Sequence, residues 1–153
     1  MIGGESGNHV QTRESMSAIA VAVSGVLFVL AALHVYWAVM GVAVGSAVPS
    51  RSDGTPLFRP SRATTMTVAL ALCVAGVIVL GRSGLAFAWI PESLFRIGIW
   101  GVALAFGARA IGEFRYVGLF KRERRSAFAR LDTLVFTPLC AALAVGAAVI
   151  ATS

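Results

Sequence analysis

Four ionisable residues stand inside or at the edges of long apolar runs: His34, Arg109, Glu113 and Asp132. Tyr36 and Trp37 follow His34 almost directly. Three kinds of chemistry fit these side chains. A guanidinium such as Arg109 can hold a carboxylate or phosphate through paired hydrogen bonds. An imidazole such as His34 can move a proton near neutral pH, with Asp132 as the carboxylate that orients it. Arg109 can also pair with Asp132, or with Glu113 four residues further along a helix, and so close the charges among themselves. The corresponding functions are a module that binds or transports a small ligand, ion or lipid, a structural or accessory subunit with an internal clamp, and an enzyme at the membrane interface. A clamp is closed and mutually paired. A binding site leaves a cavity with unpaired polar groups. An enzyme also needs room for a reacting atom about 3 Å from His34.

Each residue has a purely structural reading as well. Tyr36 and Trp37 fit an interfacial aromatic belt. Asp132 can cap a helix, and Arg109 can extend to the headgroups. An ionisable group in a span is nevertheless costly, at about 2.5–3.5 kcal/mol near the bilayer centre, so its presence asks for a reason. Familiar enzyme signatures are missing: no GxxxxGK[ST], HExxH, CxxC or GxSxG occurs. Cys73 and Cys140 each lie in an apolar run and read as small hydrophobes. His9 lies in a polar tail, so a haem held by two intramembrane histidines finds no second ligand. No metal and no cofactor is expected, and the balance leans away from an enzyme.

The elements that must position these residues are legible from composition. The 153 residues are 58% hydrophobic and 13% charged. Soluble domains carry about 25% charged residues, so this chain needs the bilayer as its solvent. About 20 apolar residues span a bilayer as a helix. Such runs fall at about 16–40, 63–80, 93–111 and 132–151. The expected fold is all-α, an integral membrane four-helix bundle over residues 16–153 preceded by a disordered polar tail over 1–15. The first apolar run exceeds the core of a cleaved signal peptide, so it reads as a retained helix. Ser61 is a helix N-cap candidate, Gly81 a helix stop and Pro91 a first-turn residue. Glu92 and Arg96 form an i,i+4 pair in the favoured order. Pro138 should disturb the start of the last helix, because it lacks an N–H for the carbonyl of Leu134.

Loop charges predict orientation. Arg13, Arg82 and Arg96 lie on the side of both termini. Arg51, Arg59, Arg62, Arg115, Lys121, Arg122, Arg124, Arg125 and Arg130 lie on the other side, nine against three. Loops one and three are therefore expected in the cytoplasm, with both termini outside, in a multi-pass protein of the inner (plasma) membrane. This topology brings His34, Arg109, Glu113 and Asp132 to one depth from three helices. Loop three alternates basic residues with Phe114, Tyr116, Phe120 and Phe128. Arg115, Lys121, Arg122, Arg124, Arg125 and Arg130 are expected at anionic lipid headgroups. Positive-inside topology accounts for these charges without nucleic acid. Small residues recur at spacing four, at Gly41/Gly45, Ala71/Ala75, Gly101/Ala105, Ala108/Gly112 and Cys140/Ala144/Ala148. That spacing serves close helix contact within the chain, with a second copy, or with a partner membrane protein.

Three stretches carry a family resemblance. Leu33-His34-Val35-Tyr36-Trp37-Ala38 closes the first span. Arg109-Ala-Ile-Gly112-Glu-Phe-Arg115-Tyr116-Val-Gly118-Leu-Phe120-Lys121 follows the third. Phe128-Ala-Arg130-Leu-Asp132-Thr133 leads to Pro138-Leu139-Cys140. Together these words resemble the bacterial membrane-protein family known as domain of unknown function 3995, over nearly the whole chain after Met16. The resemblance implies a compact four-helix membrane protein and brings no established activity. Phe136 departs from it, standing where a tyrosine is usual, and the polar tail before Met16 is longer than expected.

Overall fold

The computed structural model describes residues 4–41, 48–51, 53 and 55–153, with side chains from residue 11 onward. Its elements are α1 (Gly4–Met40), α2 (Arg62–Arg82), α3 (Glu92–Ile111), the short α4 (Ala127–Leu131), a π-helical turn (Asp132–Phe136) and α5 (Thr137–Thr152). Among the described residues, four helices are long and apolar enough to cross a membrane: Gln11–Met40, Arg62–Arg82, Glu92–Ile111 and Ala127–Thr152. The last of these is α4, the π turn and α5 in succession. The segment 4–15, expected as a disordered tail, continues α1 as helix. At about 1.5 Å per residue α1 is far longer than the roughly 30 Å hydrocarbon core, so it overhangs the bundle. Gly45, of the Gly41/Gly45 pair, lies outside the described residues.

The helices pair as α1 with α2 and α3 with α5, and these two pairs form the largest interfaces. Leu27, Val79, Ile99 and Ile150, one from each long helix, are fully buried between the helices. Glycines let large side chains approach. Gly76 lies under the ring of Phe28, Gly98 under Ile78 and Gly146 under Val23. Close contact therefore sets a glycine against a bulky partner, which the expected pairs of small residues did not specify. The outward faces are as apolar as the core, with Val29, Leu70, Ile97, Leu104 and Leu134 all exposed. A helix apolar all round is one that faces lipid on its open side.

Local signals explain the helix ends. Ser61 caps α2, its Oγ accepting from the Thr64 N–H at 3.0 Å. Helix α2 runs through Gly81 to Arg82, and the left-handed residue is Gly84 (φ 73°). Pro91 sits at the N-cap of α3, one residue before its first turn. Glu92 meets Arg82 across loop two, at 3.4 Å, instead of the expected Arg96. Arg82 Nη2 also donates to the carbonyl of Ser153 at 2.6 Å. The proline effect appears as the π turn: the Thr137 N–H bonds the carbonyl of Asp132, five residues back, just before Pro138. In loop one Asp53 accepts from the hydroxyl of Thr55 at 2.6 Å and from its N–H at 2.9 Å. These bonds hold the Asp53 carboxyl below the usual carboxylate range.

Candidate functional site

Asp132 is 0% exposed, and its two oxygens receive four donors. Arg109 Nη2 donates to Oδ1 at 2.9 Å. The Gly118 N–H, Lys121 Nζ and the Thr137 hydroxyl donate to Oδ2, at 2.8, 2.9 and 3.2 Å. One carboxylate thereby ties together the end of α3, loop three and the start of α5. The π turn makes the last contact feasible. On an α-helix residues five apart diverge by about 140°, whereas the π turn brings Thr137 back over Asp132.

Backbone geometry draws loop three onto the helix. Gly112 (φ 83°) and Gly118 (φ 90°) adopt left-handed conformations that favour glycine. A Cβ on Gly118 would strike the backbone of Ile111 and Gly112. The Leu119 N–H reaches the Ala110 carbonyl at 2.9 Å. Lys121 also donates to the Gly118 carbonyl, at 3.2 Å. Lys121 was expected at the lipid headgroups; it is instead 4% exposed and ion-paired with Asp132. A lysine so deeply buried is stable only with a counter-charge, which Asp132 supplies. Arg115, Arg122, Arg124, Arg125 and Arg130 are exposed.

The other expected members are placed differently. Arg109 pairs with Asp132, while Glu113 accepts from the Tyr116 N–H at 3.0 Å. His34 Nδ1 donates to the Leu30 carbonyl at 2.7 Å, and its ring meets Trp37 edge-on with centroids 5.2 Å apart. Among the described residues His34 makes no hydrogen bond or ion pair with Asp132, so the envisaged His34–Asp132 acid–base pair is not formed. Tyr36 is exposed and Trp37 half-buried. The sequence reading missed Gly118 and Thr137. A usable signal was Lys121, the single lysine among thirteen Lys and Arg residues. Among the described residues no group of three or more His, Cys, Asp or Glu is arranged to hold a metal ion.

Beside this knot runs an open groove of about 630 Å³. Loop one contributes Leu57 and Phe58, and α3 with loop three contributes Arg109, Glu113, Tyr116 and Val117. Arg109 Nη1 is buried with no hydrogen-bond partner. The family profile described as "Protein of unknown function (DUF3995)" matches residues 27–147. The chain belongs to this family. The matched span begins within α1 and ends within α5, so it contains all four long helices in part or whole and every residue of the Asp132 knot. Comparison with curated proteins and with solved structures found no match.

Proposed function

We propose that this DUF3995 protein is a non-catalytic, multi-pass membrane module that holds an anionic amphiphile, a phosphate or carboxylate head with an apolar tail, at its cytoplasmic end. Arg109 carries the reading. One of its terminal nitrogens serves Asp132, and the other is buried without a partner in a residue that lines an open groove. The knot holds one carboxylate against two cations and so retains one net positive charge, which favours an anion on the Arg109 side of the groove; Glu113, also in the lining, is engaged by the Tyr116 N–H. Leu57, Phe58 and Val117 offer apolar wall for a tail. The exposed Arg115, Arg122, Arg124, Arg125 and Arg130 raise the concentration of anionic headgroups at this face, by about 1 kcal/mol per basic residue.

Native mass spectrometry of the full chain, extracted with its lipids, tests this. Arg109→Lys preserves a charge for Asp132 and removes the second arm; Phe58→Ala opens the wall without touching the knot. Both variants should retain markedly less anionic lipid than the parent. Equal retention in all three, or no anionic lipid on the parent, would overturn the proposal. A second reading, a structural or accessory subunit, is favoured by the closed coordination of Asp132. In that case both variants matter only for stability and for association with a second copy or a partner membrane protein.

A further inference from the structure

The opposite end of the bundle holds a cavity that the Asp132 knot does not explain. It measures about 580 Å³ and is lined by the overhanging start of α1, the α2–α3 connection and the end of α5. Met16, Phe95 and Ile150 are apolar parts of its wall, and Arg13, Arg82 and Glu92 are its charged groups. Arg82 is the anchor. Its side chain is 12% exposed, Nη2 is taken by the Ser153 carbonyl, Nη1 faces the Glu92 carboxylate at 3.4 Å, and Nε is buried with no partner. Arg13 is exposed, and the Glu92 carboxylate stands at the rim with 75% of its side chain open. Phe87, also in the lining, is held at φ 59°, a strained value for a bulky residue.

We propose that this cavity takes a phosphoethanolamine headgroup, with the phosphate between Arg82 and Arg13 and the primary ammonium on Glu92. The exposed Arg13 guanidinium suits a phosphate through paired N–H donors, and Arg82 adds its unpartnered Nε–H. Glu92 faces Arg82 on one side only, and its open carboxylate keeps lone pairs for a primary ammonium, which a purely anionic headgroup does not supply. A quaternary ammonium cannot donate a hydrogen bond to Glu92 and is better served by an aromatic cage than by a lone carboxylate. The acyl chains would leave along the apolar wall into the surrounding lipid. Arg82 ends one membrane-spanning helix and Glu92 begins the next, which puts the cavity at the expected headgroup level. No part of this rests on the groove beside Arg109.

The test uses the full chain in nanodiscs containing equal amounts of phosphatidylethanolamine, phosphatidylglycerol and phosphatidylcholine, followed by native mass spectrometry. The parent should retain phosphatidylethanolamine about tenfold over phosphatidylcholine, the value of one charge-assisted hydrogen bond. Glu92→Gln should abolish that preference while total phospholipid stays bound. Arg13→Gln should lower the total. Both positions are exposed, so folding should survive. Arg109→Lys should lower retained phosphatidylglycerol without moving the ratio of phosphatidylethanolamine to phosphatidylcholine, which separates this site from the groove. Free O-phosphoethanolamine added as competitor assigns the source: displacement shows that the headgroup alone suffices, and resistance shows that the lipid is required. Equal retention of phosphatidylethanolamine and phosphatidylcholine, or an unchanged preference in Glu92→Gln, overturns the proposal; the preference is read against phosphatidylcholine because the groove beside Arg109 takes anionic lipid.

Discussion

At the scale of single residues, Asp132 is the member on which the others depend. Removing it strands Lys121 in a buried position and leaves Arg109 with both terminal nitrogens unpaired. Asp132→Ala should therefore cost about 3–5 kcal/mol, the usual penalty for breaking a buried pair on one side. Lys121→Met should cost less, because Asp132 keeps Arg109, Gly118 and Thr137 as donors. The double variant Lys121→Met with Asp132→Ala should lose less than the sum, with a coupling of about 1–3 kcal/mol. Thermal unfolding in one detergent reads all three, and strict additivity would deny the contact. Lys121→Arg is a sharper probe of shape. The planar fork does not replace a compact ammonium in a closed site, so loss of stability is expected despite the conserved charge.

At the scale of elements, loop three is a fold-back structure held by backbone contacts. Gly118→Ala meets both a left-handed φ and a backbone collision. It should destabilise by several times the roughly 1 kcal/mol that separates glycine from alanine in ordinary helix. Gly101→Ala is the control: nothing lies within 4 Å of its added Cβ and its backbone is helical. That change should be neutral or stabilise by up to about 1 kcal/mol. Comparable effects at the two sites would contradict the fold-back. The element's charges were legible in sequence, and so was the shared depth of Arg109 and Asp132, since consecutive spans must end and begin at one face; the choice of Asp132 over Glu113 as partner came from the structure. Lys121 and Thr137 were not. Charge pattern treats every loop cation as solvated, and the inward turn of Lys121 depends on where Gly112 and Gly118 redirect the chain. Thr137 reaches Asp132 through a π turn that helical periodicity does not anticipate.

At the scale of the molecule, Thr12 of α1 and Ser153 after α5 line one cavity, so these two segments share an end of the bundle. The charge asymmetry predicts which side that end faces. On a background with Cys73 and Cys140 replaced by Ala, Ser153→Cys should react with an impermeant maleimide on intact cells. Arg125→Cys should react only after permeabilisation. The reverse pattern would invert the topology. Ser126 is a poor probe, because its Oγ caps α4 by accepting from Ala129 and the residue is buried. Rising salt should release anionic lipid from the loop-three end, because exposed charges are screened within about 8–10 Å at physiological strength.

Apolar runs of spanning length are a local property of the chain. The four helices, their order and the basic loops could therefore be read directly from the residues, as could the family resemblance. What a side chain meets after the chain turns is a non-local property. Only the tertiary structure decided that His34 bonds its own helix, that Glu92 meets Arg82, and that Lys121 is buried against Asp132. The physical reason is that composition and period fix a helix's length and how apolar it is. The direction of each polar group is set by loop backbone and by the neighbouring helix, whose approach no single segment encodes.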